Sequence, residues 1–380
     1  MTVIELAGIG PAPFACMLMA DMGANIIRID RPPVVSTGAL DDLMRNDSVV
    51  DRGRKSLSLN MKDPRAVEAV LSLVESADML VEGFRPGVVE KLGLGPAICL
   101  ARNPRLVYGR MTGWGQSGPL AKTAGHDINY IALTGALHAI GTLEQPIPPL
   151  NLAGDYGGGG MLLTMGMLAA LAQVKHSGQG QVVDAAMTDG AALLMAGLFG
   201  LMAKGFWHDE RECNFLDGAA HFYGTYKCLD GKHISIGAIE PQFYRKLLEL
   251  CGIKDPHFER QWEQSQWSAL REKLVKIFRT RTRKEWCELL EGTDACFAPV
   301  LSMNEVAEHP HNKARNTFVS QDGVIQPAPA PRFDRTPSEL PRKAPKIGEH
   351  SIEILSNAGI SKQSINTLIE AGVVHLSGPT

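Results

Sequence analysis

The chain has 380 residues, 44% of them hydrophobic, with 38 Lys and Arg against 41 Asp and Glu and a formal net charge of −3. That length exceeds one ordinary core and predicts two domains. The mixed charge gives no field for nucleic acid or an anionic membrane, so any anion site has to be built locally from Arg and Lys. Seven scattered cysteines without a CxxC spacing argue against a disulfide framework or a zinc knuckle, and no cluster of metal ligands stands out.

The chain starts almost at once with a strand, Thr2–Leu6, and shows no charged and apolar leader. Apolar runs look broken by Gly and polar residues before they reach membrane-spanning length. The final Ser377-Gly378-Pro379-Thr380 is not a Ser-Lys-Leu signal. The expectation is a cytoplasmic protein with no membrane partner.

Over the first 110 residues strands and helices alternate, which predicts an α/β fold with an open parallel sheet. Strands are expected at Thr2–Leu6, Asn25–Asp30, Met79–Glu82 and Leu106–Met111. Helices are expected at Ala12–Met22 and from Asp63-Pro64, an N-cap followed by proline, to about Ser76. Further helices are predicted at Asp127–Ala139, Gly158–Gln173 and Met187–Met202, with a strand at Gln181–Asp184. Beyond Lys204 the texture changes. Tyr223–Cys228, the Asp230-Gly231 turn and His233–Gly237 read as a β-hairpin, followed by helices at Pro241–Cys251, Trp267–Phe278 and Lys284–Glu291. The sequence therefore predicts a large domain over 1–204 and a smaller α+β domain over 222–310. Residues 326–380 are expected to form a proline-rich connector, Gln326–Lys346, and a helical segment within Ser351–Ala371 that returns to the large domain.

Several motifs invite a chemical reading. Gly8-Ile9-Gly10-Pro11-Ala12-Pro13, with Asp30 20 residues beyond Gly10, imitates a dinucleotide fingerprint, but Pro13 occupies the third glycine's place and a tight strand–helix turn is the better reading. Arg31, Arg52, Arg54 and Arg85 fall near strand ends, where an open α/β sheet binds ligands, and together outline a nucleotide-type anion site. Two segments carry proton-transfer groups: Ala124-Gly125-His126-Asp127-Ile128-Asn129-Tyr130, and Pro149–Gly160 with Asp155, 29 residues after His126. A histidine at a helix start is kept neutral by the helix dipole and able to act as a base. Asp155 has the plainer alternative of an N-cap. The costly run Gly157–Gly160 makes sense where a ligand or a second backbone comes very close. Glu240, ahead of Pro241, is either a capping carboxylate or a group that orients a histidine. The Met161–Met167 and Met187–Met202 stretches fit ordinary helix core better than an acyl surface.

With Glu5–Pro11, Arg28–Pro32, Met111–Pro119, Ala124–Tyr130, Pro149–Gly160, Gly178–Ala185, Gly237–Tyr244 and Asp294–Val300 in this order, the chain resembles the α-methylacyl-CoA racemases of the class III CoA-transferase family over essentially its full length. Residues 33–51 carry least of that resemblance. It implies a Rossmann-like large domain, a smaller α+β domain and an interlocked homodimer. It also implies that His126 and Asp155 are the two acid/base residues, with Asn151 beside Asp155 and Glu240 supporting the histidine from the neighbouring chain. Positions implied to bind the CoA moiety are Ile9, Arg31, Leu59, Asn60, Met61, Lys62, Gly83, Phe84, Arg85, Gly125, Asp127, Ile128, Asn129 and Tyr130. Which arginine meets the CoA phosphates stays open. The implied reaction is racemisation of 2-methylacyl-CoA thioesters, part of lipid metabolism, with CoA as part of the substrate and no metal or separate cofactor. The alternative within the family is CoA transfer with Asp155 as nucleophile, which has no need of His126. A non-catalytic CoA-binding protein would leave both proton-transfer groups unexplained.

Overall fold

The computed structural model describes residues 1–33 and 49–378. Most of the weakly resembling stretch 33–51, with Asp47 and Ser48, and the terminal Pro379 and Thr380 lie outside the described residues.

Six parallel strands form the large sheet: β1 (Thr2–Leu6), β2 (Asn25–Asp30), β3 (Arg54–Leu59), β4 (Met79–Glu82), β5 (Val107–Thr112) and β6 (Gln181–Ala186). Their spatial order is β3-β2-β1-β4-β5-β6, and the short strand Val374–His375 adds antiparallel to β3. Central β1 pairs on one side with β2, Val3 opposite Ile26, and on the other with β4, Val3 opposite Met79. Alternate residues of each strand point to opposite faces, and the two faces bury separate cores. Ile4, Leu80 and Tyr108 pack with Val70, Leu355 and Ile365. Val3, Met79 and Val107 pack with Met19, Leu163 and Met167. Helices thus cover both faces, as a parallel sheet requires, and the helices near the C-terminus supply part of one layer.

Strand β3 escaped the sequence reading because its pattern is disguised. Arg54, Ser56 and Ser58 are buried alongside Leu57 and Leu59, so polar residues occupy positions where a buried strand ordinarily carries Val or Ile. Hydrogen bonds to Glu5 and Asp30 make the first two tolerable.

Three expected helices differ. The Asp127–Ala139 helix is two short ones, Asp127–Ala132 and Ala136–Ala139, parted where Gly135 takes φ 82°. The Met187–Met202 helix breaks at Met195 into Met187–Leu194 and Ala196–Ala203. The expected Gly158–Gln173 helix begins earlier, as a π-helix over Leu152–Met161 that continues into an α-helix over Leu162–Ser177. Leu152–Ser177 is therefore one helix long and apolar enough to cross a membrane, contrary to the reading of interrupted apolar runs. Its Leu163, Met167, Ala170 and Val174 fall on one face and pack into the core of the first unit. The C-terminal helical segment is two helices, Ser351–Asn357 and Lys362–Glu370.

Contacts divide the chain into two units. The first comprises Met1–Thr134, Pro149–Met195 and Ser320–Thr380, the second Gly135–Pro148 and Ala196–Val319. Residues 135–148 and the Ala196–Ala203 helix, read from sequence as part of a 1–204 domain, thus group with the second unit. That unit has the expected hairpin, β7 (Tyr223–Lys227) and β8 (His233–Gly237), extended by β9 (Phe297–Pro299). The helices Pro241–Leu250, Trp267–Phe278 and Arg283–Leu290 share a core of Phe222, Tyr226, Leu247, Phe258, Phe278 and Trp286 with it.

Candidate active site

In the large sheet the order of connections reverses between β1 and β4, and the crevice beyond the carboxyl ends of those strands is where open α/β sheets bind ligands. A cavity of about 300 Å³ lies there in the first unit. Its walls come from the segments that follow β1 (Ile9 to Pro11), β4 (Gly83 to Pro86) and β5 (Met111 to Trp114). Ala121, Thr123 to His126, Tyr130, Asp155 and Met187 complete the lining. His126 and Asp155, distant in sequence, thus face one space.

The β1 exit is a turn, as preferred over the fingerprint. Gly10 takes φ 73°, and a Cβ there would stand 3.5 Å from Asp155 Oδ2. Asp30 is fully buried, accepting hydrogen bonds from Arg28 and Ser56, so it offers nothing to a ribose.

His126 is the N-cap residue of the Asp127–Ala132 helix, and its N–H donates to Asn129 Oδ1 at 3.0 Å. The side chain is exposed toward the cavity. Because this helix has only six residues, the dipole expected to hold the imidazole neutral is shorter than the sequence reading assumed.

Asp155 sits inside the π-helix, which is capped by Asn151, so the N-cap reading of Asp155 is overturned. Its backbone N–H donates to Asp127 Oδ2 at 2.6 Å, and its Oδ2 lies 3.4 Å from Asn151 Nδ2. Burial pushes the Asp155 carboxyl above its ordinary range. The Asn151 hydrogen bond and a charged His126 pull it back, and the Asp127 charge pushes it further up. An aspartate whose proton affinity is raised is suited to a two-base proton transfer.

The glycine run is explained by close backbone approach. A Cβ on Gly158 would be 2.6 Å from Ala191 N, and one on Gly160 2.8 Å from Pro11 O. Two neighbouring helices press on the π-helix where only glycine leaves room.

Tyr130 donates its hydroxyl to Gly125 O and meets Trp114 edge-on, with centroids 4.8 Å apart. A Cβ on Gly113 would fall within 2.0 Å of its ring, so that glycine is needed for the aromatic wall. Burial and the Asp155 charge raise the Tyr130 phenol while Arg85 opposes them.

Of the other implied CoA positions, Ile9, Gly83, Phe84, Arg85 and Gly125 line the cavity. Arg31 is exposed, its guanidinium 5.9 Å from the Phe84 ring centre. Ile128 and Asn129 are exposed but do not line the cavity, and neither do Asn60, Met61 and Lys62. Leu59 is fully buried in the core, which leaves only its backbone for a ligand. Asp127 is buried and bonded to the Asp155 amide.

Arg52 and Arg54 do not belong to an anion site. Arg54 is fully buried, its Nε 2.8 Å from Glu5 Oε2, with further bonds to the carbonyls of Val50, Arg52 and Pro13. Arg52 is tied to Asp21 and to Gln326. Glu240 belongs to the second unit, exposed at the start of the Pro241–Leu250 helix, and does not line the cavity. Met111–Pro119 enters the sequence analysis only as a family segment; its position directly after β5 is the signal that Trp114 and its neighbours wall the site. Met161 and Met165 are exposed whereas Met167 and Met187 are core, so the methionine stretches are mixed.

The sequence profile of CoA-transferase family III matches residues 1–351. The α-methylacyl-CoA racemase of Homo sapiens is 42% identical over 372 residues, 97% of this chain and 95% of that protein. Its Mus musculus counterpart is 42% identical over 96% of this chain and 93% of that protein. The succinyl-CoA:glutarate CoA-transferase of Homo sapiens is 27% identical over 98% of this chain and 88% of that protein. Among solved structures, a CAIB/BAIF family protein from Brucella suis superposes with a TM-score of 0.79 at 25% identity, covering 94% of this chain and 98% of that one. A large parallel sheet in the same mixed α/β arrangement, a family profile running almost end to end and relatives this similar over nearly their whole length place the chain in CoA-transferase family III.

Proposed function

We propose that this protein is an α-methylacyl-CoA racemase, interconverting the (R) and (S) forms of 2-methylacyl-CoA thioesters by 1,1-proton transfer. The observation that carries the reading is the convergence of His126 and Asp155 on one cavity at the switch point of the sheet. Similarity to racemases over nearly the full chain supports it.

One of the pair, as the free base, takes the α-proton from one face of the thioester. The C–H electron pair becomes the new C=C bond as the carbonyl π pair moves onto the thioester oxygen, giving an enolate. The other group, protonated, returns a proton to the opposite face, and the two groups end with their protonation states exchanged. The enolate needs electrostatic stabilisation as it forms. Each acid/base group is worth about 10²–10⁴ in rate. Proton transfer leaves oxidation states unchanged, so the reading calls for no redox cofactor. The carbon skeleton's CoA handle would run over Ile9, Gly83 to Arg85 and the Arg31–Phe84 pair, where the exposed arginines meet phosphate and an aromatic face meets adenine.

The reading includes a homodimer in which Glu240 of one copy supports His126 of the other. In its support, the Ala196–Ala203 helix is apolar at every position yet buries none of its residues.

CoA transfer is the second reading, favoured by the transferase among the relatives and by the accessible Asp155 carboxylate. Proton NMR of a 2-methylacyl-CoA in D₂O, with His126→Ala as control, decides between them. Exchange of the α-proton with loss of optical purity, abolished in the variant, is the expected result. CoA passing to an added carboxylic acid without exchange would instead make Asp155 a nucleophile.

A further inference from the structure

We infer that Asp127, rather than touching the CoA moiety, is a positioning residue whose carboxylate on the Asp155 amide sets the spacing between the two acid/base groups. The inference rests on the racemase reading above and concerns the same site.

Asp127 follows His126 directly and is only 7% exposed. It is absent from the cavity wall that both its neighbours, His126 and Asp155, help to form. Its Oδ2 accepts the Asp155 N–H at 2.6 Å, a charge-assisted bond. The same oxygen lies where a Cβ on Gly154 would come within 2.4 Å, so residue 154 has to be glycine for the two segments to approach this closely. Asp127 Oδ1 is buried and has no hydrogen-bond partner among the described residues. A half-satisfied buried carboxylate is costly. An asparagine or a threonine could hold the amide with less desolvation. The retained charge instead acts on the Asp155 carboxyl, which it pushes up. One residue thus ties the His126 helix to the Asp155 turn and biases the proton affinity of Asp155.

The groups facing the Asp155 carboxyl can be named. Asp127, His126 and Tyr130 come from the helix that begins at Asp127 and its cap, and Asn151 from the turn itself. Arg85 acts on Tyr130 from the segment after β4. Of the other helices packed against the turn, Pro11–Asp21 has its Asp21 tied to Arg52, and Met187–Leu194 carries Asp189 in its first turn.

The test compares Asp127→Asn and Asp127→Ala with wild type in three readouts: calorimetric affinity for CoA, kcat and KM for α-proton exchange, and titration of the Asp155 carboxyl by ¹³C NMR, assigned with Asp155→Asn. The Asn variant keeps an acceptor for the amide and loses the charge. It is expected to bind CoA as wild type does while Asp155 titrates at lower pH and the acidic limb of the rate profile moves down with it. The Ala variant also loses the acceptor, and kcat is expected to fall by about 10²-fold with KM little changed, the size of effect that small misplacements of reacting groups produce. Should the Ala variant not fold, the Asn variant decides alone. Weakened CoA affinity in the Asn variant with an unmoved Asp155 titration would overturn the inference in favour of a ligand contact, as would an Ala variant with full kcat. If wild type exchanges no α-proton, the racemase reading falls, and the Asp155 titration still decides whether Asp127 acts on it.

Discussion

Two groups of ionisable residues lie within the first unit, and they behave in opposite ways. Glu5, Arg28, Asp30, Asp51, Arg52 and Arg54, on and around β1 to β3, are buried and locked to partners, Arg54 to Glu5 at 2.8 Å and Arg28 to Asp51 at 2.8 Å. His126, Asp155 and Arg85, at the carboxyl ends of β1, β4 and β5, face a cavity with few fixed partners. Charge near a strand end is therefore ambiguous. A side chain directed back into the sheet needs a neighbour of opposite sign because desolvation would otherwise destabilise the fold. One directed past the strand end remains available to a substrate. The difference is one of direction and partners, not residue type.

The largest effect expected is on the cavity side. His126→Ala and Asp155→Asn should each lower the α-proton exchange rate by about 10²–10⁴, while urea midpoints stay close to wild type because neither side chain belongs to a buried pair. Unfolding of either variant at a much lower urea concentration would move that residue to the locked group.

Next comes the locked side. Arg54→Met leaves Glu5 buried without its cation and should cost about 3–5 kcal/mol of stability, read as a lowered urea midpoint. Adding Glu5→Leu to Arg54→Met should recover much of that loss, because a paired apolar replacement removes the stranded charge. Failure of the double variant to recover would mean that the carbonyls of Val50, Arg52 and Pro13, which also accept from Arg54, are the larger part of its role.

The sequence made the cavity side legible and the locked side not. The alternation of strand-like and helix-like segments marks β1, β2, β4 and β5, while Ile9, Gly83 to Arg85 and His126 are implied as site residues by the family resemblance, and all of them line one cavity. The 29-residue step from His126 to Asp155 ends in a π-helix, which no residue pattern announces; the glycine run signals close approach of a ligand or a backbone, and neighbouring backbones make it. β3 was missed because Arg54, Ser56 and Ser58 look like loop chemistry until Glu5 and Asp30, far away in sequence, are brought beside the first two. Leu59 was assigned to a ligand through family likeness, whereas a leucine ending a buried strand is packing first. Asp127 is implied by the same likeness, and its bond to the Asp155 amide, a contact 28 residues away, is one that no local pattern shows.

A histidine of the second unit sharpens the contrast with His126. His221 is fully buried, bonds Tyr244 Oη at 2.7 Å, and has its Nδ1 unpartnered among the described residues. Burial pushes its pKa down to about 4, with Arg271 adding to the shift. An unfolded histidine takes up its proton near pH 6.5, so between there and about pH 4 the unfolded state binds more protons and stability falls as pH is lowered. The loss should reach about 3 kcal/mol at pH 4 relative to pH 7. Urea midpoints across that range, compared with a His221→Gln variant, isolate the histidine from the carboxylates that titrate beside it. Equal pH dependence in both proteins would mean that His221 is protonated in the fold.

The smallest effect tests the free arginines. Arg85 is exposed and lines the cavity, and among the described residues it has no locked partner comparable to Glu5. A solvated guanidinium that meets a phosphate contributes to binding the whole substrate equally in ground and transition states, and that raises KM without touching kcat when it is lost. Arg85→Ala should accordingly raise KM by about 10-fold, near 1.4 kcal/mol of binding, leave kcat as it was and shift the urea midpoint little. The KM penalty should shrink as salt is added, since an exposed ion contact is screened. If kcat falls instead, Arg85 acts on the reacting groups through Tyr130, whose phenol already responds to both Arg85 and Asp155, and the boundary between substrate-holding and proton-transferring residues has to be drawn one residue further out.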